Sequence, residues 1–199
     1  MAEVEETHKL EVPELMIDYL EGEEFSERFL SIAKATAVYC MDTDSLYFNL
    51  GCSPMNLEAP LLSITTTDAN TVKGTVVHEI GHRVTDVIVT ELKEHGGFHE
   101  GLRTNYHLVN CVFEGIGAYF ENESGEGLPY KPRTKLENEL DPLFDIDLNY
   151  MTGLQAVEPI LNHFGTEQGI IQIFTHPLPL LDELIHPEQY HERILEATL

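Results

Sequence analysis

The chain has 199 residues, 42% of them hydrophobic, enough for one domain with a real core and too few for two large ones. Thirty-five acidic residues against eleven basic ones give a formal net charge of -24, which argues against nucleic acid or anionic lipid as a partner, since phosphate contacts need Lys and Arg. Cys40, Cys52 and Cys111 are odd in number and too widely spaced for a disulfide framework.

The acidic start at Met1 to Leu10 has no apolar core of a secretory signal, and no stretch reaches membrane-span length. The expectation is a cytoplasmic protein with reduced thiols and a solvated acidic surface. Recruitment of a basic partner or substrate is the sharper reading of the same charge.

Residues 1–34 read as an acidic segment with an apolar thread, Leu10, Val12, Leu15, Met16 and Leu20, leading into a helix from Phe25 to Lys34. Residues 35–94 read as a sheet followed by a long helix. Ala35 to Cys40 and Ser45 to Leu50 are β-type runs joined by the turn residues Met41-Asp42-Thr43-Asp44, a hairpin. Past a loop from Gly51 to Pro60, Leu61 to Thr65 is a further short strand. Thr67 caps a helix that Asp68 favours electrostatically. Its apolar stripe is Val72, Val76, Ile80, Val84 and Val87, and Gly96-Gly97 ends it.

Residues 95–199 read as a helical half. A helix from Asn105 to Glu121 is followed by a polar loop over 122–149. Tyr150 to His163 is helical, punctuated by Pro159 and stopped by Gly165; Glu167 to Phe174, Leu180 to Ile185 and Gln189 to Glu196 complete the chain. The architecture expected is one α+β domain. A small mixed or antiparallel sheet packs on the long helix, and the helical C-terminal half forms the other side of a cleft.

The central motif is His78-Glu79-Ile80-Gly81-His82. Positions i and i+4 share a helix face, so both imidazoles can reach one cation. Glu79 points beside that cation, where a general base for a metal-activated water belongs. A hydrolytic site needs a third protein ligand and an open position. Glu114 is the candidate, because a lone Glu between Phe113 and Gly115 on an apolar helix is costly to bury unless paired or metal-bound. Gly115 and Gly117 permit close approach of another backbone. His107 shares a helical face with Glu114 and is the next candidate ligand. Cys111 reads as a small buried side chain, and His95 and His99 as residues of a glycine-rich loop.

The pair HEIGH and FEGIGAYFE resembles the gluzincin metallopeptidases, over roughly residues 35–190, with thirty-one residues between His82 and Glu114. The resemblance implies a zincin-like fold and one zinc per chain held by His78, His82 and Glu114. It further implies hydrolysis of peptide bonds in a peptide or protein substrate, with Glu79 as general base. It also implies an edge strand, Leu46-Tyr47-Phe48-Asn49, that adds extended substrate to the sheet. The oxyanion donor is commonly a Tyr or His of the C-terminal half. Tyr150, Tyr190, His176 and His186 are the candidates, with Tyr190 favoured for its polar segment. One departure stands out: the acid that thermolysin-like members carry four positions after the Glu ligand is replaced by Ala118. Asp86 and Glu121 are the candidates to support a ligating imidazole in its stead. The alternative function is a zinc-binding interaction or regulatory module with little or no turnover.

Overall fold

The computed structural model describes residues 16–20, 22–28, 37–49, 69–99, 106–125 and 146–198. In chain order these form β1 (Met16–Leu20), α1 (Gly22–Arg28), β2 (Ala37–Cys40), β3 (Ser45–Asn49), α2 (Ala69–Glu94), α3 (Tyr106–Ser124), α4 (Ile146–Phe164), α5 (Thr166–Thr175), α6 (Leu181–Ile185) and α7 (Pro187–Thr198). The protein is α+β, mostly helical, with a three-stranded mixed sheet. The expected strand at Leu61 to Thr65, the cap at Thr67-Asp68 and most of the polar loop lie outside the described residues.

The hairpin forms as its turn chemistry predicts. β2 pairs antiparallel with β3, Tyr39 opposite Leu46. A single turn of 3-10 helix, Met41–Thr43, connects them and closes on Asp44 in the left-handed region, φ 44 and ψ 49. An Asp tolerates that conformation better than a β-branched residue would.

Two expectations about the sheet are corrected. The thread at Met16 and Leu20 is not a tail entering a helix. It is a strand paired parallel to β3, Met16 opposite Ser45 and Leu20 opposite Asn49. Ile17 and Tyr19 suit a strand, and the backbone groups on one side of it pair with β3, a partner that no local pattern reveals. The sheet order is β1-β3-β2. Leu46 to Asn49 is therefore the central strand, its two edges already taken, and it cannot add a substrate strand. The edge that meets α2 belongs to β2.

α2 runs unbroken through the β-branched stretch Val84 to Thr90. Packing overrides the local preference there: Ile88 and Val89 are buried, and Thr85 Oγ1 donates to the Gly81 carbonyl at 2.8 Å. α3 lies between α2 and α4 and packs extensively on both, α5 covers α4 and α2, and α7 covers α4 and α6. The main core joins Val112 and Ile116 of α3, Ile160 and Leu161 of α4, Ile173 and Phe174 of α5, and Tyr190 and Ile194 of α7.

The α3–α4 crossing is set by two glycines. A Cβ on Gly115 would collide with the backbone of Gly153, and one on Gly153 would collide with the Cys111 carbonyl. The C-terminal end is closed by Arg193, whose Nε and Nη2 donate to Glu183 Oε1 and Oε2 at 2.7 and 2.9 Å.

Candidate metal centre

His78 and His82 leave the same face of α2 and meet α3 where Glu114 projects. His78 Nε2 lies 3.1 Å and His82 Nε2 3.5 Å from Glu114 Oε2. One ligand atom from each of the three residues lies within 4.8 Å of the others. A tetrahedral ion with bonds of about 2.0–2.2 Å spaces its ligand atoms about 3.3–3.6 Å apart. The donor set and its spacing therefore fit a divalent ion, and these residues can hold one.

The helix approach that makes this possible depends on small residues. A Cβ on Gly117 would stand 2.5 Å from His78 Nε2 and 2.6 Å from Cε1, so the imidazole lies flat against the bare backbone of α3. Gly81 faces the same crossing, where an added Cβ would stand 3.1 Å from the Gly117 Cα and from the Phe120 ring. On its other side His78 meets Tyr150 of α4, ring centroids 5.1 Å apart. His78 and His82 meet edge to face at 4.7 Å.

Electrostatics tie the three residues together. Burial alone would raise the Glu114 pKa, but hydrogen bonds from His78 and His82 outweigh it and hold the carboxyl down at about 2. Burial pulls the His82 pKa down, and Glu114 and Glu79 together more than reverse it, so it stands above its ordinary value. Glu79 is raised, chiefly by burial, against the two imidazoles and a backbone donor that favour its charged form. That donor is the Tyr39 N–H of β2, which reaches Glu79 Oε2 at 2.7 Å.

Of the other expected residues, Glu121 comes close: its Oε2 stands 3.7 Å from His78 Nδ1, outside hydrogen-bond reach. Among the described residues neither His78 Nδ1 nor His82 Nδ1 has a hydrogen-bond partner. Asp86 turns the other way, to the Tyr39 side chain, with its pKa raised chiefly by burial. Cys111 is buried with its thiol pushed up to about 12. His107 falls on α3, and its side chain lies outside the described residues. His95 is exposed, its Nδ1 2.8 Å from the Glu91 carbonyl at the end of α2; the His99 N–H donates to the Phe174 carbonyl.

The four candidates for an oxyanion donor separate clearly. Tyr150 touches His78. Tyr190 is fully buried in the main core, its ring 5.1 Å beneath the Arg193 guanidinium. Burial raises its pKa, and the charges bearing on it are Arg193 and Glu183, not the groups around Glu114. His176 is tied to the last turn of α5 through the Gln172 carbonyl, and His186 is exposed beside Glu188. Of these four, Tyr150 is the residue that stands against His78, while Tyr190 lies with Ile194 on the side of α7 that faces the core.

Sequence reasoning also missed Tyr39, Asp44 and Arg83. None carries a motif, and their arrangement depends on how the hairpin docks on α2. No protein-family model, curated protein or solved structure matches the chain.

Proposed function

We propose that the protein is a zinc-dependent hydrolase of peptide bonds, with a zincin-like arrangement of the gluzincin kind. The observation that carries the reading is the convergence of His78 Nε2, His82 Nε2 and Glu114 Oε2, with a half-buried Glu79 on the same helix. Two imidazoles and one carboxylate are the ligand set of catalytic rather than structural zinc sites, which use four protein ligands. When bound, zinc would polarise a scissile carbonyl and acidify a water.

The chain's own residues supply the rest. Glu79 takes the proton of the attacking water on its carboxylate and returns it to the leaving amine. Its raised pKa, set by burial, suits a group that must both accept and release a proton. Tyr150, against His78, is the residue to donate a hydrogen bond to the developing oxyanion. Among the described residues the outer edge of β2 carries no further strand, and beside the Tyr39–Glu79 contact it is the surface against which an extended peptide can lie.

The test is metal content and turnover of the purified protein. About one zinc per chain is expected, lost in Glu114→Ala. Glu79→Gln is expected to keep the metal and lose hydrolysis by at least ~10²-fold. A Glu79→Gln variant as active as the wild type would remove Glu79 as the base. Metal held without turnover on any peptide would assign the protein to binding rather than catalysis.

A further inference from the structure

α2 presents two functional faces. His78 and His82 face α3, and one residue further along Glu79 and Arg83, again four apart, face the hairpin. Arg83 is only 5% exposed, a rare state for a cation unless it is paired. Its Nε and Nη2 donate to Asp44 Oδ1 and Oδ2 at 2.6 and 2.8 Å, the two-pronged geometry that fixes orientation as well as distance. Asp44 is the left-handed residue of the hairpin turn, and its Oδ1 also accepts from the Tyr39 hydroxyl at 2.8 Å. Tyr39 sits on β2, and its backbone N–H is the donor to Glu79. The circuit is closed: Arg83 holds Asp44, Asp44 holds the Tyr39 side chain, and Tyr39 holds Glu79, one turn before Arg83 on the same helix.

We infer that the Arg83–Asp44 pair is a positioning device for Glu79, acting through Tyr39. A carboxylate on a long flexible side chain has several rotamers, and an amide donor selects one. The amide is useful only if the strand carrying it is held at a fixed height over the helix. Among the described residues β2 is a four-residue strand paired with β3 on one side and held on the other by the Tyr39–Glu79 bond, and the ion pair anchors it at its turn. Asp44, Arg83 and Tyr39 need not touch substrate to do this. The consequence for turnover rests on the hydrolase reading; the positioning of Glu79 by Tyr39 does not.

The experiment is amide hydrogen exchange at Tyr39 by NMR in wild type, Glu79→Ala, Arg83→Met and Asp44→Asn, with the Ile160 amide of the core as internal reference. Asp44→Asn keeps a residue that accepts the left-handed turn and removes only the ion pair, so it covers the case in which Arg83→Met fails to fold. Exchange at Tyr39 is expected to speed up by at least roughly tenfold in all three variants, with Ile160 unchanged. Zinc content should stay at the wild-type level in Arg83→Met and Asp44→Asn. On a cleaved peptide, kcat should fall about tenfold with KM moving less than about threefold, and Arg83→Lys should recover part of the loss. Tyr39 exchange unchanged in Arg83→Met and Asp44→Asn would overturn the inference, as would faster exchange with kcat intact. A wild type that cleaves nothing would sink the hydrolase reading alone, and the exchange rates would then decide the positioning by themselves.

Discussion

Gly117 shows how a single hydrogen in place of a methyl shapes the group that could hold a metal ion. With any other residue there, the His78 ring would have to leave the surface of α3. Gly117→Ala is therefore expected to weaken metal binding by tenfold or more, about 1.4 kcal/mol, while the melting temperature moves little. Unchanged affinity by competition with a chelator would show that the ring tolerates the displacement. The protons of the site lead to a second prediction. His82 stands above its ordinary 6.5 because of Glu114 and Glu79. The stabilisation from its proton is present in full below 6.5 and is lost as pH rises through the raised value. A metal must displace that proton, so metal affinity is expected to climb as pH rises beyond 6.5, with proton release on binding. Calorimetry in buffers of different ionisation enthalpy measures the release; a binding heat that ignores the buffer would contradict it.

At the scale of elements, the centre is assembled by two helix crossings. Gly81 and Gly117 bring α2 to α3, and Gly115 and Gly153 bring α3 to α4. The second crossing matters to the site because Gly115 follows Glu114 directly, and Gly153 lies one turn from Tyr150. Gly153→Ala drives a methyl into the Cys111 carbonyl, backbone that cannot swing aside. It is expected to destabilise the fold by roughly 1–3 kcal/mol and to lower metal affinity with it. Denaturant unfolding beside metal titration checks both, and a variant as stable as wild type would mean that the two helices separate without loss. Gly96 makes the contrast: its positive φ of 73 closes the end of α2, yet no atom crowds a Cβ there.

Over the whole molecule, the net charge of -24 has its own consequence. Like charges spread over a chain of this length repel, and salt screens them. The melting temperature is expected to rise by several degrees between about 0.05 and 1 M salt, each kcal/mol of relieved repulsion counting for about 2–4 °C. A midpoint that is flat or falls with salt would mean that specific ion pairs such as Arg83–Asp44 outweigh the general repulsion. Among the described residues no helix is long and apolar enough to cross a membrane.

The amino-acid sequence by itself determined the hairpin, the helices from α2 onward and the trio His78, His82 and Glu114; the first helix, expected through Phe25 to Lys34, is described only as Gly22–Arg28, with 29–34 outside the described residues. Each rests on local chemistry: a 3.6-residue period, turn residues between β-branched runs, two imidazoles one turn apart, and a carboxylate stranded on an apolar face. Only the tertiary structure decided that Met16–Leu20 is a strand, that Leu46 to Asn49 is central, and that Tyr150 rather than Tyr190 meets His78. It likewise decided that Tyr39 serves Glu79. The reason is the same in each case. Strand pairing and the meeting of side chains from different helices join residues distant along the chain, 40 apart for Tyr39 and Glu79, and the energy of such a contact leaves no period or spacing in either segment alone.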